Sequence, residues 1–159
     1  MSLSPEARLQ AALWREIPLS RAIGITVASW DGRTVQLAVP LAPNVNHQAT
    51  AFGGSLSAAA TLAGWSALWL LLDAHGLTHQ VVIQDASIEY RHPVTADFTV
   101  ACTLPEAATV ERFLTTLRER ARARLDTLVL GEIARRRATG ERGDDLLSLL
   151  LAAEDEDGG

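Results

Sequence analysis

The sequence predicts an α+β fold: an antiparallel sheet wrapped around a central apolar helix, with a helical C-terminal tail. Three observations carry this expectation. Two short alternating runs flank Asp31-Gly32, and an Asp-Gly pair between such runs is the strongest short-range hairpin signal. A stretch of 21 uncharged residues, Phe52 to Leu72, follows. Two more alternating runs come next, before the period turns helical at Glu106. The elements do not alternate as β-α-β-α, which sets aside a doubly wound parallel sheet.

Each element has its own signals. Ser4-Pro5-Glu6 is a helix start: a hydroxyl cap, Pro at the first helical position, and an acid in the first turn. Leu9, Ala12, Leu13 and Ile17 continue at helical spacing, and Pro18 ends that helix. Ile23, Ile25 and Val27, then Val35, Leu37 and Val39, alternate with small or polar residues and form the hairpin arms. Pro40 and Pro43 open a loop that runs from Asn44 to Thr50. The uncharged helix starts near Gly53 and stops by Gly76. It is apolar all round, so it must be covered nearly all round. Ala58, Ala59, Ala60, Ala63 and Gly64 keep it thin enough for other backbone to approach; Trp65, Trp69 and Leu72 give bulk to its second half. Gln80 to Tyr90 is expected as a long strand ended by Pro93, with Val81, Ile83 and Asp85 on one face and Val82, Ala86, Ile88 and Tyr90 on the other. Phe98, Val100, Cys102 and Leu104 form the next strand, stopped by Pro105. Val110, Phe113, Leu114 and Leu117 then mark an amphipathic helix.

Composition excludes several classes. The 159 residues suit one domain large enough to bury a core. All 14 basic residues are Arg, and the net charge is −5, which argues against a nucleic-acid partner. A single Cys excludes an internal disulfide framework and a Cys-rich zinc site, and the four His show no metal spacing. Cys102 is expected as a core thiol. The start lacks a secretory pattern, so a cytoplasmic location is expected. The uncharged stretch is long enough to span a bilayer. Its Gly53, Gly54, Ser55, Ser57, Thr61, Gly64 and Ser66, with no close basic flanks, favour a buried helix and no membrane partner.

Three motifs, in order, carry a resemblance: Asn46-x-x-Ala49-Thr50-Ala51-Phe52-Gly53-Gly54-Ser55-Leu56; Leu62-Ala63-Gly64-Trp65; and Val82-Ile83-x-Asp85-x-x-Ile88-x-Tyr90-x-x-Pro93-Val94. Over residues 8 to 119 the chain resembles a hot-dog-fold protein, and more closely the thioesterase domain that forms the C-terminal half of YiiD-type bacterial acetyltransferases. The resemblance implies a homodimer whose two sheets join, and acyl-thioester chemistry at the subunit interface on acyl-CoA or acyl carrier protein. It implies no cofactor. It also implies that the thioester carbonyl meets free N–H groups at the central helix N-terminus, while a carboxylate acts as general base on water or as nucleophile.

The expected site follows from that resemblance, with an alternative beside each residue. Gly53 and Gly54 form the oxyanion site, or else serve close helix–sheet packing. Asn46 orients the carbonyl or the water, or else closes an Asx-type loop. His47 is a base or a solvated side chain. Phe52, Ser55 and Thr61 flank the substrate. Ser55 does not lie in a G-x-S-x-G elbow, so an α/β-hydrolase is not indicated. Thr61 stands where many hot-dog thioesterases carry their acid, and between Arg33 and Asp73 the only titratable side chain is His47. That leaves Asp85, in an apolar strand, as candidate base across the dimer or as a structural acid paired with Arg91 or a backbone donor. Glu89 is expected on the solvent face. Arg91 and the Arg118, Arg120, Arg122, Arg124 run meet coenzyme A phosphates or an acidic carrier protein, or else form a solvated helix face.

The division expected is a thioesterase-like core over 1–119 and a helical, acidic-ended extension over 120–159. Within the extension, Leu128, Val129 and Ile133 are at helical spacing, Arg135 to Gly140 breaks the pattern, and Asp144-Asp145 opens a further helix. A strand over 123–131 is the alternative, since Ala123, Leu125, Thr127 and Val129 also alternate. Residues 121–159 resemble a short mid-domain segment of bacterial haem-thiolate monooxygenases. They carry no Gly-flanked Cys loop, so no haem is expected. The strands that should close the sheet are missing from this stretch. Two other functions therefore stand beside hydrolysis: a non-catalytic acyl-thioester-binding or interaction module, and an inactive chimeric or designed chain.

Overall fold

A computed structural model describes residues 3–77 and 80–139. The chain divides after Pro105 into two compact units. In the first, α1 (Pro5–Glu16) opens as expected: Ser4 Oγ accepts from Ala7 N at 3.2 Å and Pro5 holds the first turn. Leu9, Ala12 and Leu13 bury one face of α1. Pro18 separates α1 from the short α2 (Pro18–Ala22). At Gly24 the chain turns with φ +75°, and a Cβ there would lie 2.7 Å from Pro40 Cγ, so only glycine fits.

The hairpin forms as predicted, from β1 (Thr26–Trp30) and β2 (Thr34–Val39). Asp31 Oδ1 accepts from Arg33 N at 2.8 Å and Thr34 N at 2.6 Å, while Gly32 takes φ +94°. A bulge between Val27 and Ser29 shifts the register of β1. β3 (Phe98–Thr103) pairs antiparallel with β2 from Thr34↔Thr103 to Val39↔Phe98, giving the order β1-β2-β3. Val35, Leu37 and Val39 are buried. Fully burying an aliphatic side chain contributes about 1.5–3 kcal/mol.

The uncharged stretch is α3 (Gly53–Ala74), packed against β2, β3 and α1. Ala59, Leu62, Ala63 and Leu70–Leu72 are buried, and Asp73 anchors the far end to Arg8 at 2.7 Å. Among the described residues α3 alone is long and apolar enough to cross a membrane, and half of its most apolar window is buried in this unit. The expected close approach at Gly64 is absent: a Cβ there would meet nothing within 4 Å.

The predicted strand over Gln80–Tyr90 does not form. Residues 80–91 carry no ladder pairing, and Val82, Ile83, Ile88 and Tyr90 are exposed. An alternating run is only half of a strand; the other half is a neighbouring backbone, and none among the described residues pairs with it. The segment is held at separate points instead: Trp65 Nε1 donates to Val81 O at 3.2 Å, Tyr90 Oη to Gly53 O at 2.8 Å, and Ala51 N to Val94 O at 2.7 Å.

In the second unit, α4 (Ala107–Thr139) is one helix of 33 residues. It includes the expected amphipathic stretch and continues through 119–120 without a break. The alternative strand over 123–131 is thereby excluded, and the helix also runs through Arg135–Thr139, where a break was expected. The further helix expected from Asp144 lies outside the described residues.

Candidate active site

The site is built at the start of α3. Asn44, only 2% exposed, fixes the loop before it by donating to Ile23 O at 2.9 Å and Pro40 O at 2.7 Å. Asn46 then organises the turn: its Oδ1 accepts from Gln48 N at 2.8 Å and Thr50 N at 3.3 Å, and its Nδ2 donates to Thr50 Oγ1 at 2.9 Å. This is the Asx-type loop arrangement, and it occupies the amide that was expected to orient a carbonyl or water. Ala49 takes a left-handed φ of 57° within the same turn. His47 is exposed on it.

Phe52 precedes α3 without a side-chain cap, and its carbonyl accepts from Leu56 N at 3.1 Å. The N–H groups of Gly53, Gly54 and Ser55 therefore have no acceptor among the described residues. Three such donors at the positive end of a 22-residue helix favour negative charge there. Two aromatic rings border it. Phe52, exposed, lies against Gly54 so closely that a Cβ there would collide with its ring; the Tyr90 ring lies 3.4 Å from where a Gly53 Cβ would be.

Two cavities adjoin α3. The smaller, about 320 Å³, is lined by Thr50, Gly53, Tyr90, Arg91 and His92, among others. The larger, about 710 Å³, lies along the helix and takes in Thr61, Trp65, Trp69 and Val81–Ile83. The structure thus brings Gly53, Arg91 and the 90–94 segment together, and places Thr61 on the wall of the larger cavity. Asp85 lines neither. It is exposed, in the stretch between the two cavity-lining runs, so it carries no burial cost. Arg91 pairs with Glu89 at 2.9 Å, both well exposed, which makes Glu89 the arginine's partner in place of Asp85. Arg118, Arg120, Arg122 and Arg124 are exposed on α4. Burial pushes the Cys102 thiol up, which leaves it a weak nucleophile. No group of three or more His, Cys, Asp or Glu side chains able to hold a metal occurs among the described residues.

Two site residues escaped the sequence reading. Tyr90 counted there as a strand and motif residue with no role of its own at the site, and its hydroxyl donates to Gly53 O. His92 lines the smaller cavity beside Gly53. The Tyr90-Arg91-His92 cluster directly before Pro93 was the available signal.

The model of the family described as "Putative thioesterase (yiiD_Cterm)" matches residues 6–141. The chain belongs to this family. The match extends past residue 119, where the resemblance read from motifs stopped. Solved structures agree with it. A protein of unknown function from Chlorobaculum tepidum TLS is 29% identical with a TM-score of 0.70, over 72% of this chain and 70% of that one. A structure from Shewanella oneidensis, described as a putative thioesterase, is 32% identical with a TM-score of 0.62, over 65% and 72%. A Pseudomonas aeruginosa protein, described as of unknown function and a probable thioesterase, shares the fold at 21% identity and a TM-score of 0.60, over 76% and 78%. The sheet and long central helix of this YiiD-type chain are the hot-dog architecture.

Proposed function

We propose that this YiiD-type protein hydrolyses acyl-CoA or acyl-carrier-protein thioesters, working as a homodimer. The observation that supports this best is the uncapped α3 N-terminus with unpaired N–H groups at Gly53, Gly54 and Ser55. The thioester carbonyl oxygen is received there, and its charge grows when water adds to the carbonyl carbon. The base takes a proton from that water. The tetrahedral intermediate collapses, the C–S bond breaks, and a carboxylic acid and a thiol leave. Asp85 is the candidate carboxylate base, and its exposure leaves it free to face a site on the second subunit. His92 is a second candidate because it lines the cavity beside Gly53. Asn46 holds the loop that aims the helix end, while Arg91 faces the phosphates of the carrier.

One observation favours a binding-only reading. Among the lining residues of both cavities the sole carboxylate is Glu16, and it is paired with Arg15 at 2.6 Å. A panel of acyl-CoA substrates separates the two readings. Hydrolysis should fall by roughly 10²-fold or more in Asp85→Asn if Asp85 is the base, and similarly in Gly54→Val, which crowds the oxyanion donors. Saturable acyl-CoA binding with no turnover at any chain length would leave only the binding role.

A further inference from the structure

Ala58, the first α3 residue on the wall of the larger cavity, lies one turn on from Gly54, which itself lines neither cavity. Gly54, Ala58, Thr61, Trp65 and Trp69 follow at intervals of four, three, four and four residues, so they line up along one side of the helix. The last four line the cavity of about 710 Å³, a size typical of ligand sites. Ile17 and Leu19, at the α1–α2 junction, and Val81–Ile83 make the wall mostly apolar, with Thr61 and Gln80 as polar points on it. Trp65 and Trp69 stack with ring centroids 6.4 Å apart. The Trp65 indole N–H is already committed to Val81 O, so that ring presents only apolar surface to the groove. Glu16 is the single charged residue on the wall, and it is paired with Arg15. A mostly apolar lining of this length suits a hydrocarbon tail.

We propose that this groove holds the tail of a long, unbranched acyl group whose thioester lies at Gly54, and that Trp65 and Trp69 set the tail length accepted. The proposal rests on the thioester reading of the helix N-terminus and adds the substrate class. Eleven residues separate Gly54 from Trp65, which is about 16 Å along the helix. A zigzag chain advances roughly 1.3 Å per bond of about 1.5 Å. A tail of roughly twelve carbons therefore reaches Trp65, and one of about eight ends near Thr61.

The test uses the full chain and straight-chain acyl-CoA substrates from acetyl to palmitoyl. Expected is a rise in kcat/KM of up to about fourfold per added methylene, levelling near twelve carbons. Ala58→Phe fills the groove near its mouth and should lower the dodecanoyl-to-butyryl ratio at least tenfold. Ala58→Leu should do so less, and Trp69→Ala should move the plateau to longer tails. Tryptophan fluorescence titrated with S-dodecyl-CoA, a thioether that cannot be hydrolysed, reads the groove without turnover; Ala58→Phe should weaken that binding at least tenfold while far-UV circular dichroism stays unchanged. Hydrolysis that is flat with length and indifferent to Ala58→Phe overturns the groove and leaves the hydrolase. No hydrolysis, with dodecyl binding that Ala58→Phe abolishes, overturns the hydrolase and supports the groove. Loss of self-association in Ala58→Phe with unchanged dodecyl affinity shows a second copy covering this face and overturns the proposal.

Discussion

At Gly54 the Phe52 ring lies where a Cβ would be, directly over the proposed oxyanion donors. A methyl there collides with that ring, but Phe52 is exposed and can swing aside. An off-rotamer side chain costs of order 0.5–1.5 kcal/mol, far less than moving the helix backbone. Gly54→Ala should therefore fold, with a melting temperature lowered by only a few degrees. The proposed thioester hydrolysis should drop roughly 10²-fold or more, as when one oxyanion donor is lost. Adding Phe52→Ala should restore the melting temperature and not the activity. Recovery of both would show that the ring, and not access to the donors, governs turnover. At Gly53 the nearest Tyr90 atom is 3.4 Å from a built Cβ, so Gly53→Ala should be the milder change in stability.

At the scale of elements, what the sequence announced was what neighbouring residues decide among themselves. The Ser4 cap, the Pro18 break and the Asp31-Gly32 turn are local devices, and each forms as expected. The hairpin turn also yields a pH test. Backbone N–H groups of Thr34 and Arg33 hold the Asp31 carboxyl below its usual range. A carboxyl depressed in the folded state contributes stability that is present above the ordinary aspartate value, near about 4, and lost as pH falls through the folded value. In thermal melts Asp31→Asn should be less stable than the parent at neutral pH, and the gap should close below about pH 4. A gap constant with pH would mean that amide shape, not charge, matters in the turn. Gln80–Tyr90 failed as a strand because its pattern specifies a face but not a neighbour. Residues 123–131 offered both periods, and the longer helical context of α4 decided between them. The site was legible to the same extent: Gly53 and Gly54 stand out in sequence, whereas the roles of Tyr90 and His92 depend on where a distant segment returns.

For the whole molecule, the exposed 82–91 segment is where the proposed second subunit would bind. Val82 is 84% exposed and Tyr90 53%, with Ile83 and Ile88 exposed between them. Four large apolar side chains exposed along one short run form a surface of the kind that a partner ordinarily covers. The homodimer proposed for this YiiD-type chain would cover it if two copies align these segments antiparallel, each supplying the backbone partner the other lacks. Amide exchange across 82–89 should then depend on protein concentration: fast in dilute solution, and slowed at least tenfold where light scattering reports a dimer. Val82→Lys or Ile88→Lys puts a charge on that apolar junction, where covering it costs desolvation, and should shift the equilibrium toward monomer. The paired variants should also lose thioester turnover if Asp85, in the same segment, works across the interface. A monomer at every concentration, with full turnover, would instead place the whole reaction on one subunit and make the apolar run 82–90 a surface for something other than a second copy.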